Sequence, residues 1–215
     1  MSGVQNLAEL LAQVRACRYC RDMGDETALP HEPRPVLQLS SVSPPRIILA
    51  GQAPGTRVHA SGRPFTDPSG DRLRAWLGLD NAEFYDERRL AIVPMGFCFP
   101  GLDPRGGDKP PRPECRRLWH DSLFAQLPTP ELIVCIGQYA VDYHFARLGL
   151  TALRAPRLTD TISNWRAVLQ ASKVPLFVLP HPSWRNNGWL KLNPWFELEL
   201  LPVLRLKIRS IVDKG

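Results

Sequence analysis

Cysteine and histidine carry most of the distinctive chemistry in this chain. Cys17 and Cys20 stand in a C-x2-C spacing, Cys98 and Cys115 follow singly, and Cys135 lies inside an apolar run. Four thiolates, two of them from one short turn, can hold a cubane iron-sulfur cluster. The same pair-plus-two-singles pattern suits a tetrahedral zinc ion, and buried structural thiols are the remaining alternative. Cys135 reads as a core thiol. Three other stretches mix glycine and proline with polar side chains: Gly51-Gln52-Ala53-Pro54-Gly55, Gly96-Phe97-Cys98-Phe99-Pro100-Gly101, and Pro180-His181-Pro182-Ser183-Trp184-Arg185-Asn186. Each is a plausible turn on its own. Together they bring an amide, an imidazole, a hydroxyl and a guanidinium group into loops of one kind.

The elements between these loops explain how they could meet. Four short runs, Ile47 to Ala50, Leu90 to Met95, Leu132 to Ile136 and Leu176 to Leu179, are continuously apolar, as strands buried on both faces are. Helical patterning lies beside them. Leu7, Leu10, Leu11 and Val14 mark one face of an N-terminal helix, Asp71 to Leu79 reads as a helix ending near Gly78, and Arg116 to Leu127 and Tyr139 to Leu148 supply two more. Strands alternating with helices predict a three-layer α/β/α domain around a central, mostly parallel four-stranded sheet. In such sheets the ligand site lies outside the carboxyl ends of the strands. All three polar loops follow a strand.

The chain of 215 residues is long enough for one such domain, which we assign to the whole of residues 1–215. Lys and Arg number 27 against 21 Asp and Glu, so the net charge of +6 favours an anionic partner without identifying it. The 22 prolines cluster in connecting loops rather than in a tail. No apolar run approaches the roughly 18 residues of a membrane span, and the start MSGVQNLAELLAQVR has no signal-peptide pattern. An odd number of cysteines argues against a secreted disulfide scaffold. The expectation is a cytoplasmic protein.

With their order in view, the motifs resemble those of the uracil-DNA glycosylase superfamily. Gly51-Gln52-Ala53-Pro54-Gly55 after the first strand, Gly62-Arg63-Pro64-Phe65 soon after, and His181-Pro182-Ser183 after the last strand match it in sequence order. The likeness spans roughly Cys17 to Asn186 and is greatest to the iron-sulfur branches, families 4 and 5. It implies a 4Fe–4S cluster on Cys17, Cys20, Cys98 and Cys115, with zinc as the alternative, and an N-terminal cluster-binding helix and turn over about residues 5–22. It also implies a monomeric, nucleoid-associated bacterial repair enzyme that acts on DNA, hydrolysing uracil from deoxyribose by base flipping and leaving an abasic site.

Such a reaction leaves positive charge on the sugar and negative charge on the departing pyrimidine, so a site needs groups for both. The resemblance makes Phe65 the platform on which the base stacks and His181 the donor to a pyrimidine carbonyl. It puts the backbone and side chain of Gln52 and the adjacent Ala53 against the substrate. Ser183 would hold a phosphate, and Trp184, Arg185 and Asn186 would enter the duplex. Arg57, Arg63, Arg105, Lys109 and Arg112 are expected at the same edge.

Two departures bear on activity and selectivity. The best-known branch has a water-positioning aspartate, and other branches an asparagine, where this chain has Ala53. Family 5 also lacks that aspartate and is thought to use one just after the motif phenylalanine. The similar stretch Phe65-Thr66-Asp67-Pro68-Ser69-Gly70-Asp71 makes Asp67 the preferred carboxylate and Asp71 the alternative. Asp71 could instead support a helix start. Val93-Pro94-Met95-Gly96 lacks the asparagine that reads uracil in strict branches, and Gly55 replaces the tyrosine that rejects thymine. A wider range of deaminated bases, or a non-catalytic cluster protein that binds DNA, are the competing readings. One iron-sulfur branch carries a basic loop whose histidine bonds to the sugar. The corresponding stretch here, Gly101 to Lys109, has no histidine, so turnover rather than covalent capture is expected.

Overall fold

In the computed structural model, which describes residues 6–24, 28–104 and 106–214, four strands form one sheet. They are β1 (Ile47–Ala50), β2 (Leu90–Ile92), β3 (Leu132–Ile136) and β4 (Leu176–Leu179), all parallel, in the order β2-β1-β3-β4. Every strand residue is buried. This is why the runs are continuously apolar rather than alternating. The second strand was expected to reach Met95 but ends at Ile92, because Pro94 has no N–H to donate. The chain still follows the extension of β1, with Met95 N donating to Gly51 O at 2.9 Å and Gly96 N to Gln52 O at 2.8 Å.

Helices cover both faces of the sheet and complete the three layers. In chain order they are α1 (Leu7–Arg15), α2 (Tyr19–Asp22), α3 (Thr56–Ser61), α4 (Pro68–Leu77), α5 (Asn81–Phe84), α6 (Pro113–Cys115), α7 (Asp121–Gln126), α8 (Gln138–Leu148), α9 (Leu158–Ser163), α10 (Trp165–Ala171), α11 (Asn187–Leu192) and α12 (Leu201–Val212). Asn6 and Glu9 cap α1 reciprocally. The helix expected from Asp71 begins earlier, at Pro68, because proline is preorganised for a first helical position and Asp67 occupies the N-cap. Gly78 ends it in the left-handed conformation, as its position suggested.

The helix expected from Arg116 is a composite. A π-helical segment, Arg116–His120, joins α6 to α7. The α12 helix carries a signal the strand-centred reading did not use: Leu201, Leu204, Ile208 and Ile211 recur at three- and four-residue spacings, and all are buried. Its last carbonyls are held from the sheet's other end. Arg46 Nη1 donates to Ile211 O and Arg89 Nη1 to Val212 O, each at 2.6 Å.

This topology decides where a ligand can bind. From β1 the chain passes to β2 on one side and then crosses to β3 on the other, so the crevice beyond the carboxyl ends of β1 and β3 is the sheet's switch point. Gln52 follows β1 and Gly137 follows β3.

Candidate active site

Gln52 bridges that crevice. A Cβ on Gly137 would stand 2.8 Å from Gln52 Nε2, and Gly137 has φ +84°. Close approach and backbone conformation therefore both require glycine there. Phe65, from the loop between α3 and α4, is the one non-glycine among the described residues with positive φ, at +54°. Holding such a residue costs about 1–3 kcal/mol, and the conformation persists only where its surroundings enforce it. They do: Arg74 Nη1 and Tyr85 Oη donate to the Phe65 carbonyl at 3.1 and 3.2 Å. The Phe65 ring meets Phe84 edge-on, and its Cζ lies 3.5 Å from where a Cβ on Gly51 would be.

Two connected cavities open here. The inner one holds about 80 Å³ for the centres of water-sized molecules and is lined by Gln52, Ala53, Pro54, Gly55 and Phe65, with an apolar wall of Val36, Val58, Ile92, Pro94 and Ile136. The outer groove, about 570 Å³ by the same measure, is lined by Arg57, Arg72, Ser183, Trp184 and Arg185. Gln52, Asp67, Ser69, Asp108 and His181 line both, and so mark the throat between them.

The polar groups at this throat are available to a ligand. The side chains of Gln52, Asp67, Asp108 and His181 make no hydrogen bond to any described residue. Burial pulls the His181 imidazole below its ordinary pKa, opposed by the negative charges of Asp67 and Asp108. It is therefore neutral at pH 7, with one nitrogen able to donate. Burial also pushes the Asp108 carboxyl up; His181 and Arg185 counter this, and Asp67 adds to it. Asp108 is the residue that motif reading missed. Its only sequence signal is an acidic group in a glycine-rich loop beyond the carboxyl end of β2.

The remaining expected residues divide. Trp184 is 73% exposed at the groove's rim, apart from the packed cluster of Trp189, Trp195 and Phe196. The Arg185 guanidinium lies 6.0 Å from the Trp184 ring centroid. Asn186 Nδ2 donates to His181 O at 2.6 Å and Arg72 Nη1 to Ser183 O at 2.9 Å, so both brace the loop that carries the histidine. Asp71 pairs with Arg74 at 2.6 Å and lines neither cavity. Arg57 faces the groove, whereas Arg63 stacks on Tyr85, Arg112 pairs with Glu114, and Lys109 lines a separate proline-rich cavity. Arg105 lies outside the described residues.

On the opposite side of β2's loop, Cys17, Cys20, Cys98 and Cys115 line one small cavity with Trp119. Each is a free thiol. Burial pushes the Cys98 and Cys115 thiols up to about 12. Among the described residues no three His, Cys, Asp or Glu side chains converge as ligands of a single ion. Zinc would need its sulfurs about 4 Å apart, given Zn–S bonds of about 2.3 Å. A cubane instead fills the space between more widely set thiolates. Trp119 Nε1 is buried without a hydrogen-bond partner, and Phe97 N donates to Cys115 Sγ at 3.4 Å. Four thiols and an unused N–H around one cavity fit a sulfur-rich anionic group. Cys135 is fully buried in β3, away from that cavity.

A doubly covered parallel sheet with an imidazole, carboxylates and an aromatic wall at its switch point is the architecture of an α/β enzyme. The family model described as the Uracil DNA glycosylase superfamily matches residues 39–205. The chain belongs to that superfamily. It is also similar to a protein named Type-4 uracil-DNA glycosylase from Archaeoglobus fulgidus, 23% identical over 198 residues that cover 84% of this chain and 83% of the relative.

Proposed function

We propose that the protein is a monofunctional DNA glycosylase that extrudes uracil from DNA and hydrolyses its N-glycosidic bond. The observation that carries this reading is the throat, where Gln52, Asp67 and His181 stand between the cavity beside Phe65 and a groove edged by Arg57, Trp184 and Arg185. A flipped base would enter the inner cavity and stack on Phe65 while its backbone stayed in the groove. The glycosidic bond would then lie at the throat. A neutral His181 N–H donates to a pyrimidine carbonyl, and this bond strengthens as the base leaves as an anion. Asp67 faces the sugar as positive charge develops there and orients water toward C1′. Ser183 and Arg185 hold phosphate, and Trp184 fills the vacated stack. No lysine lines either cavity among the described residues, which agrees with hydrolysis rather than Schiff-base chemistry and strand cleavage.

The cysteine cavity supports a 4Fe–4S cluster on Cys17, Cys20, Cys98 and Cys115. Bound there, it would join the N-terminal helix to the loop after β2, a structural service, since base hydrolysis moves no electrons. These chain segments would hold it; the throat residues carry the reaction.

One observation favours a wider base range. The inner wall is apolar at Val36, Ile92, Pro94 and Ile136, and among the described residues that line this cavity Gln52 is the one with a side-chain amide. Single-turnover assays on oligonucleotides bearing uracil, hypoxanthine or xanthine, single-stranded and paired, test both readings. Free uracil with an intact abasic strand is the expected product. A protein that binds these DNAs and releases no base would be a non-catalytic binder instead.

A further inference from the structure

Asp108 is held by a closed loop rather than by the sheet. Leu102 and Asp108 form an isolated antiparallel bridge, Lys109 N donates to Gly101 O at 2.9 Å, and Asp103 N donates to Gly107 O at 2.7 Å. This closure carries the Asp108 carboxylate across to the first motif. Its Oδ2 lies 3.3 Å from where a Cβ on Gly55 would be. A Cβ at position 55 would press on the carboxylate, and a larger side chain there would have to displace it.

The location is specific. Asp108 shares the throat with Asp67 and His181 and lines both the inner cavity and the groove. Ala53 has no polar side-chain atom with which to orient water. We propose that Asp108 is a second catalytic carboxylate, which with Asp67 faces the deoxyribose and receives the proton of the attacking water. The inference rests on the glycosylase reading above.

In the step itself, the C1′–N bond breaks and its electron pair leaves with the pyrimidine. Water adds to C1′ and gives one proton to Asp108. That proton passes to solvent, and the pyrimidine anion is protonated from solvent. No redox partner or further reactant is needed. A carboxylate made more basic by partial burial is the better proton acceptor of a pair, and the raised pKa of Asp108 agrees with that division of labour.

The test uses the full-length protein and two measurements. Asp108→Asn should lower single-turnover release of uracil by about 100-fold, the scale of losing one charged group at a developing charge. Asp108→Ser, which removes the carboxylate in another way, should show the same loss with a melting temperature close to that of the native protein, so that the result does not depend on the folding of one variant. The second measurement is binding to duplexes carrying a cationic pyrrolidine abasic residue or a neutral tetrahydrofuran abasic residue. The native protein should prefer the cationic one, and Asp108→Asn should lose most of that preference while holding the neutral duplex as before. Native release of uracil with an unimpaired Asp108→Asn variant would overturn the assignment and leave the glycosylase reading standing. A native protein that neither releases uracil nor prefers the cation would overturn both.

Discussion

Gly70 lies directly against the carbonyl of Phe65: a Cβ at position 70 would stand 1.8 Å from that oxygen. The first turn of α4 thus supports the strained residue that walls the base cavity. Gly70→Ala must push the Phe65 loop away. It should destabilise the fold by about 1–3 kcal/mol, in the range of backbone clashes and lost strain support, and lower uracil release. Thermal melting and single-turnover kinetics measure the two effects. An alanine variant of native stability and rate would mean that Phe65 does not need this position.

His181 should matter to chemistry rather than to docking. His181→Ala is expected to slow the single-turnover step by about 100-fold with little change in binding to undamaged duplex. Equal losses in both would make it a structural residue of the loop braced by Asn186 and Arg72.

Trp184 projects from the groove without joining the aromatic cluster behind it. If it occupies the gap left by the flipped nucleotide, Trp184→Ala should impair removal from a paired duplex far more than from single-stranded DNA, where there is no stack to refill. A uniform loss on both substrates would argue instead for a general contact. Stacking energies of about 1–3 kcal/mol per base set the size of the effect at roughly 5-fold to 150-fold.

The cysteine cavity makes a compositional prediction. Protein purified without chelators should be brown and contain roughly four irons per chain. Cys98→Ala should lose iron and melt at lower temperature, whereas Cys135→Ala should keep its iron, because it lies in β3. A colourless protein with one tightly bound zinc would overturn the cluster assignment.

His144 gives the fold a defined response to acid. Its ring is fully buried between Phe124 and Tyr143, neither nitrogen has a hydrogen-bond partner, and burial lowers its pKa to about 3. Unfolded histidine binds a proton near pH 6.5, and the folded form refuses it until about pH 3. Stability from this group is therefore complete above pH 6.5 and falls as the pH drops, by at most about 1.4 kcal/mol per unit. His144→Phe should flatten that slope in chemical denaturation between pH 7 and pH 5. His120, also lowered by burial, contributes a remaining part.

What could be read from the chain alone was what depends on local pattern. The runs at Ile47, Leu132 and Leu176 are continuously apolar because each strand is buried on both faces, and they coincide with β1, β3 and β4. Motif order was legible for the same reason: Gln52, Phe65 and His181 lie beside strands or turns whose residues identify themselves. Other features depend on distant segments meeting. Asp108 resembles any charged loop residue until the fold brings its carboxylate beside Gly55, and the left-handed Phe65 is accommodated because Gly70 leaves room for its carbonyl while Arg74 and Tyr85 donate to it. Asp67 and Asp71 stand four residues apart, and the sequence preferred Asp67 without excluding Asp71. The helix separates them, because Asp67 at the N-cap lines the throat while Asp71 turns outward to Arg74. Side-chain type is encoded locally, but the direction in which a side chain points, and what stands opposite it, is decided by packing across the whole sheet.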